Sequence, residues 1–154
     1  MLGLKATKYD YYHNDVTTDD YFCHHRSRLD HISILLIDDE PDITNCAKCF
    51  LESHGLIVHV YTEPLVALDD FQKNFESYSL VVSDINMKTM MTEFEFARLI
   101  RQIHPTIKIF LMSASDINNP QYKRLAAEVK ADAFLQKPFT LRDMLEIIEN
   151  HFIK

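Results

Sequence analysis

The chain has 154 residues, 47% of them apolar and 11% aromatic, which is enough for one ordinary hydrophobic core and leaves no room for a second globular output domain. Its 16 basic and 23 acidic side chains give a net charge of −7, which argues against generic binding to nucleic acid or anionic lipid. No apolar run approaches the roughly 20 residues that cross a bilayer, Met1–Leu4 is too short for a signal peptide, and three cysteines suit a reducing compartment, so a soluble cytoplasmic protein is expected.

Residues 1–30 show neither helical nor strand periodicity, are poor in aliphatic side chains, and hold four of the seven tyrosines. They read as an N-terminal extension outside the core, flexible or docked on the domain that occupies 31–154. Within it, Cys23-His24-His25, with His13 upstream, offers thiol and imidazole groups of the kind Zn2+ takes, but no well-spaced further pair of ligands goes with them. That run reads as an ordinary polar tail.

From His31 the pattern becomes regular. Ile32–Ile37 is a β-branched, nearly continuous apolar run, as in a strand buried on both faces, and it ends in acids. Glu40-Pro41-Asp42 opens a helix, with proline in its first turn and acid at its positive end. Ile43, Cys46, Ala47, Phe50 and Leu51 are assigned to its core face, and Gly55 stops it. Cys46-Ala47-Lys48-Cys49 has redox spacing, but it lies inside this helix with Cys46 toward the core, so the expected role is structural. A strand over Leu56–Tyr61, a helix opened by Pro64 (Leu65, Leu68, Phe71, Phe75) and a strand over Leu80–Asp84 follow. After the loop Ile85–Thr92 come a helix with Phe94, Ala97, Leu99 and Ile100, a strand over Ile107–Met112, a helix over about Pro120–Val129 and a strand over Ala133–Gln136. Thr140, with Asp143 three residues on, makes a capping box for a last helix with Leu141, Met144, Leu145, Ile147, Ile148 and Phe152 on its apolar side. Only two glycines are present, so the turns rely on Asn, Asp and Pro.

Five strands alternating with five helices predict an α/β fold with a doubly wound parallel sheet and helices on both faces, because parallel neighbours need right-handed helical crossovers. Ligands of such sheets bind beyond the carboxyl ends of the strands. The residues at those ends are Asp38-Asp39-Glu40, Asp84, Ser113 and Lys137-Pro138. Three carboxylates brought together repel one another unless a cation sits among them, and a hard divalent ion such as Mg2+, held by carboxylates and completed by water and phosphate oxygens, suits the set.

This constellation resembles the receiver domain of two-component response regulators over about residues 31–154. The residues that carry the resemblance are Asp38-Asp39, Asp84 in Val82-Ser83-Asp84-Ile85-Asn86-Met87, Ser113-Ala114 and Lys137-Pro138-Phe139. Asp39 and Asp84 are 45 positions apart, and Ser113 and Lys137 are 24. The resemblance implies a five-stranded flavodoxin-like sheet in the order 2-1-3-4-5. It implies that Asp84 accepts a phosphoryl group from a histidine kinase or phosphotransfer protein, with Mg2+ held by Asp38, Asp39, Asp84 and the backbone carbonyl of Asn86. Lys137 and Ser113 would bind phosphoryl oxygens, helped by the Ala114 backbone N–H. A cis Lys137-Pro138 bond would aim the lysine inward. Ser113 and Phe134 would form the switch, and a face made of the fourth helix, fifth strand and fifth helix would meet a downstream protein or a second copy of the chain. The chain would thus be a single-domain signalling phosphoacceptor, with no catalysis beyond its own phosphorylation and dephosphorylation and no attached DNA-binding output.

Two stretches depart from the family pattern. Met87-Lys88-Thr89-Met90-Met91-Thr92 stands where Met-Pro-Gly-x-x-Gly is usual, with Lys88 read as a solvated loop lysine. Lys130 takes the place of a helix-ending glycine and is expected in the left-handed conformation, at a cost of about 1 kcal/mol. The alternatives are a haloacid-dehalogenase-type Mg2+-dependent phosphatase, a receiver-like binding module that is not phosphorylated, and a flavin binder. The first normally carries its Asp-x-Asp after the first strand, whereas Asp84-Ile85-Asn86 follows the third. The last is disfavoured by acids where a phosphate loop would lie.

Overall fold

The computed structural model describes residues 28–84 and 92–153. Its elements follow the predicted order: β1 (Ser33–Ile37), α1 (Pro41–Glu52), β2 (Ile57–Tyr61), α2 (Pro64–Asn74) with a 3-10 turn at Phe75–Ser77, β3 (Leu80–Asp84), α3 (Glu93–Ile103), β4 (Lys108–Ser113), α4 (Pro120–Glu128), β5 (Ala133–Gln136) and α5 (Leu141–Phe152). The five strands are parallel and lie side by side in the order β2-β1-β3-β4-β5.

Successive strand residues point to opposite faces, so a continuous apolar run feeds two cores at once. Leu35, Ile37, Val81, Ile109 and Leu111 pack under Ala67 and Phe71 of α2, Phe96 and Ile100 of α3, and Tyr122 and Ala126 of α4. Ile34, Leu36, Leu80, Val82, Phe110 and Met112 pack under Ala47 and Leu51 of α1 and Met144, Leu145 and Ile148 of α5. The helix starts are built as the sequence suggests. Proline opens α1 and α2, and the Thr140 hydroxyl accepts from Asp143 N at 3.1 Å while Asp143 accepts from Thr140 N at 2.7 Å. Thr92 and Glu95 form a second capping box at the head of α3.

Three assignments change. In α1 the buried residues are Thr44, Ala47 and Leu51, whereas Ile43 and Cys46 face solvent. Thr44 can be buried because its hydroxyl donates to Pro41 O at 2.9 Å, which satisfies it within the first turn. In α2, Leu65 is 65% exposed and Pro64 takes the inward position beside Ala67, Leu68 and Phe71. Leu29, inside the segment assigned to the extension, is buried in the α1 and α5 core, which therefore reaches back before β1.

Candidate functional site

The register brings the ends of β1 and β3 together: Ile37 lies opposite Ser83, so Asp38 follows β1 beside Asp84, the last residue of β3. Sheet-like bonding runs one residue past β1, since Asp38 N donates to Tyr61 O at 3.1 Å. This holds the Asp38 backbone while its Oδ1 accepts from Glu40 N at 3.0 Å, tying the carboxylate to the start of α1. Beyond β5, Lys137 N donates to Ser113 O at 2.7 Å, and the Lys137-Pro138 bond is cis as expected. The Lys137 Nζ lies 3.2 Å from Asp38 Oδ2 and 3.2 Å from Asp84 Oδ2.

Asp39 is half-buried beside the two buried aspartates, and one carboxylate oxygen from each of Asp38, Asp39 and Asp84 lies within 4.8 Å of the others. Three carboxylates against one ammonium leave two negative charges uncompensated. The consequence is visible in the acid-base balance. Burial pushes the Asp38 carboxyl above its ordinary value and the charge of Asp84 adds to this, outweighing the Glu40 N–H and the Lys137 ammonium, which act the other way. Burial pulls Lys137 down, but the charges of Asp38 and Asp84 win and hold it above the usual lysine range. A cluster of hard oxygen donors with surplus negative charge and a carboxylate that is costly to bury fits a small divalent cation.

The other predicted residues stand at or near the same edge. Ser113 closes β4 as its last residue and is fully buried. Its hydroxyl is engaged locally, donating to Ser115 O at 3.3 Å and accepting from Ser115 N at 2.9 Å. Ala114 follows it and is exposed. Phe134 is half-buried in β5 opposite Leu111, with its ring 5.6 Å from that of Tyr122 in α4. These two rings line a cavity of about 320 Å³ between α4 and β5. Asn86 and Lys88 lie outside the described residues.

Sequence reasoning missed Gln136. Its side-chain nitrogen donates to Ser113 O at 3.1 Å and its oxygen accepts from Ile117 N at 3.2 Å, so it ties the end of β4 to the loop that follows it. The only trace in the sequence is a polar residue ending an apolar strand.

Comparison with known proteins agrees with this geometry. The family model for the response regulator receiver domain matches residues 34–149. The regulatory protein VanRB of Enterococcus faecalis is 33% identical over 118 residues, covering 77% of this chain and 51% of that protein. The alkaline phosphatase synthesis transcriptional regulatory protein SphR of Synechococcus elongatus is 30% identical over 119 residues, covering 73% of this chain and 45% of that protein. The chain thus spans about half the length of these curated relatives. Among solved structures, a response regulator receiver domain protein from Clostridium thermocellum aligns with a TM-score of 0.70 and 29% identity, covering 79% of this chain and 94% of that one. The Vibrio cholerae chemotaxis protein CheY4 aligns with a TM-score of 0.69 and 26% identity, covering 77% and 97%.

Proposed function

Because this chain belongs to the response regulator receiver domain family, we propose that it accepts a phosphoryl group on Asp84 from the phosphohistidine of a histidine kinase or phosphotransfer protein, and that it signals through contact with other proteins. The observation that carries this reading is the position of the Lys137 ammonium, 3.2 Å from both Asp38 and Asp84 in a pocket with surplus negative charge.

Asp38, Asp39 and Asp84 would hold Mg2+, with the Asn86 carbonyl completing the protein's share. Bound there, Mg2+ supplies the positive charge that lets an anionic nucleophile approach an anionic phosphoryl group. The chain's own residues do the positioning. An Asp84 carboxylate oxygen attacks phosphorus as the phosphorus–nitrogen bond of the donor breaks, and the imidazole of the donor leaves with its electron pair and takes up a proton. Lys137 turns from ion-pairing two carboxylates to neutralising a phosphoryl oxygen. Ser113 exchanges its bond to Ser115 O for a second phosphoryl oxygen, and the Ala114 N–H meets the same group. Movement of Ser113 frees space toward β5, and Phe134 turns inward; the phosphoryl group shifts the population because it binds one arrangement better than the other. The face formed by α4, β5 and α5 then gains or loses affinity for a downstream protein or a second copy of the chain. The chain would meet its phosphoryl donor in the cytoplasm. None of the helices among the described residues is long and apolar enough to cross a membrane.

The test is phosphorylation by a small donor. With acetyl phosphate and Mg2+, intact-mass measurement is expected to show a single phosphoryl adduct, absent in Asp84→Asn and absent when the metal is chelated. An adduct of equal yield in Asp84→Asn would overturn the assignment, and steady turnover of a chromogenic phosphate ester would favour a phosphatase.

A further inference from the structure

Ser113 ends β4, and the loop that follows it is folded on itself before α4 begins. Asn118 N donates to Asp116 Oδ1 at 2.8 Å, Asn119 N donates to Asp116 O at 3.1 Å, and the Asn119 side chain accepts from Gln121 N at 2.9 Å in the first turn of α4. Bonds of this kind let Asp and Asn hold a turn without glycine. Gln136, opposite Ser113 in the sheet register, joins that turn to β5. Its Oε1 accepts from Ile117 N at 3.2 Å, while its Nε2 donates to Ser113 O at 3.1 Å and to Lys137 O at 3.3 Å. The amide fits only one way round, since turning it over would set its oxygen against two carbonyls and its nitrogen against an N–H.

The groups at the two ends of this amide differ in how firmly they are held. Ser113 O also accepts from Lys137 N at 2.7 Å, so it is fixed between β4 and the end of β5. Ile117 belongs to the folded turn, packs against the apolar cluster under α2, α3 and α4, and lines the cavity between α4 and β5 together with Tyr122 and Phe134. For the Ser113 hydroxyl to leave Ser115, and for the Ala114 N–H to reach a phosphoryl oxygen, the turn must shift as a unit relative to β5. The bond from Ile117 N to Gln136 lies across that shift.

We propose that Gln136 is a positioning residue: it latches the loop after β4 in the arrangement where Ser115 engages the Ser113 hydroxyl, and so sets the resting balance of the switch. The inference rests on Asp84 being the phosphoryl acceptor. Its described hydrogen bonds all go to backbone groups and none to a carboxylate of the pocket, so Gln136 acts through the loop and not on the phosphoryl group. A ligand that needs the released loop binds more weakly by the fraction of molecules in which the loop is free. One net amide hydrogen bond moves such a two-state ratio by about three- to tenfold. Loss of the latch therefore favours the phosphorylated arrangement, whereas loss of Ser113 or Lys137 removes a group that binds it.

Gln136→Met keeps the length of the side chain and removes donor and acceptor together, and Gln136→Ala removes the side chain; Gln136 is exposed, so neither change opens the core. The full chain in Mg2+ is titrated with beryllofluoride, which imitates the phosphoryl group on an aspartate, and is reacted separately with acetyl phosphate. Both variants are expected to bind beryllofluoride about three- to tenfold more tightly than the parent and to be phosphorylated faster at limiting acetyl phosphate. In 15N-labelled protein with neither reagent, the Ile117 amide is expected to shift and to exchange faster with solvent, while the amides of β1 and β3 stay in place. Unchanged or weaker beryllofluoride binding, an unmoved Ile117 amide, or shifts spread through β1 and β3 as for a merely structural residue would each refute the latch, and the Asp84 reading then stands if the parent is still phosphorylated. If the parent takes up neither beryllofluoride nor a phosphoryl group, the Asp84 reading fails and the latch fails with it.

Discussion

Asp38 bears the electrostatic cost of the acidic pocket. It is completely buried, and its carboxyl is raised above its ordinary 3.8, chiefly by desolvation. A carboxyl raised on folding takes up protons as the chain folds, so its burial costs nothing below about pH 4 and costs increasingly more as the pH rises through the folded value. An asparagine at this position would keep the bond from Glu40 N without the charge. Asp38→Asn is therefore expected to stabilise the metal-free protein at neutral pH by about 1 kcal/mol, a few degrees in Tm, with the advantage vanishing near pH 4 and in excess Mg2+. Thermal melts across that range check it, and an advantage independent of pH would contradict it. Lys137 behaves oppositely. Its stabilisation is complete below its ordinary 10.5 and is lost as the pH rises through the higher folded value. Lys137→Ala leaves two buried carboxylates facing each other and is expected to cost about 2–3 kcal/mol by denaturant titration at neutral pH. The identities of these residues were legible because acids and a Lys-Pro pair stood at predicted strand ends. The 3.2 Å geometry was not, since it depends on strands that meet only in the folded sheet.

Among the elements, the end of α4 shows how local cost and tertiary support balance. Lys130 sits at φ 51°, the left-handed region that glycine enters most easily. Arg101 of α3 compensates: its guanidinium donates to Val129 O at 3.1 Å, Lys130 O at 2.8 Å and Pro105 O at 3.0 Å, and also reaches Ile107 O. Lys130→Gly removes the Cβ clash while leaving these carbonyl bonds intact, and is expected to raise stability by about 0.5–1 kcal/mol, read as a shift in denaturant midpoint without change in slope. The lysine's backbone conformation was foreseeable because the resemblance puts it where a helix-ending glycine is usual. Arg101 was not, because nothing local distinguishes a last-turn arginine that binds another element's carbonyls from one that merely favours its own helix terminus. The reversal of the α1 face has a similar origin. Cysteine ranks as apolar in any periodicity argument, but Thr44, satisfied by Pro41 O, competes successfully for the inside.

At the level of the whole molecule, the two core layers are joined through the central strands, and Leu29 extends one of them before β1 begins. Its side chain is as buried as many strand residues, so Leu29→Ala is expected to cost about 2–4 kcal/mol, a drop in denaturant midpoint that truncating residues 1–27 would not reproduce. Equal effects from the two changes would mean that the upstream residues, not Leu29, supply the stabilisation.

Residue order alone was sufficient for the alternation of elements, the layered α/β architecture and the gathering of Asp38, Asp39, Asp84, Ser113 and Lys137 at one sheet edge, because hydrophobic periodicity and capping are written in neighbours along the chain. Which side of α1 is buried, where the Ser113 hydroxyl is engaged, and how Gln136 and Arg101 bind distant backbone were decided only by packing. Those outcomes depend on competition between groups far apart in sequence for the same volume and the same hydrogen bonds, and that competition has no local signature.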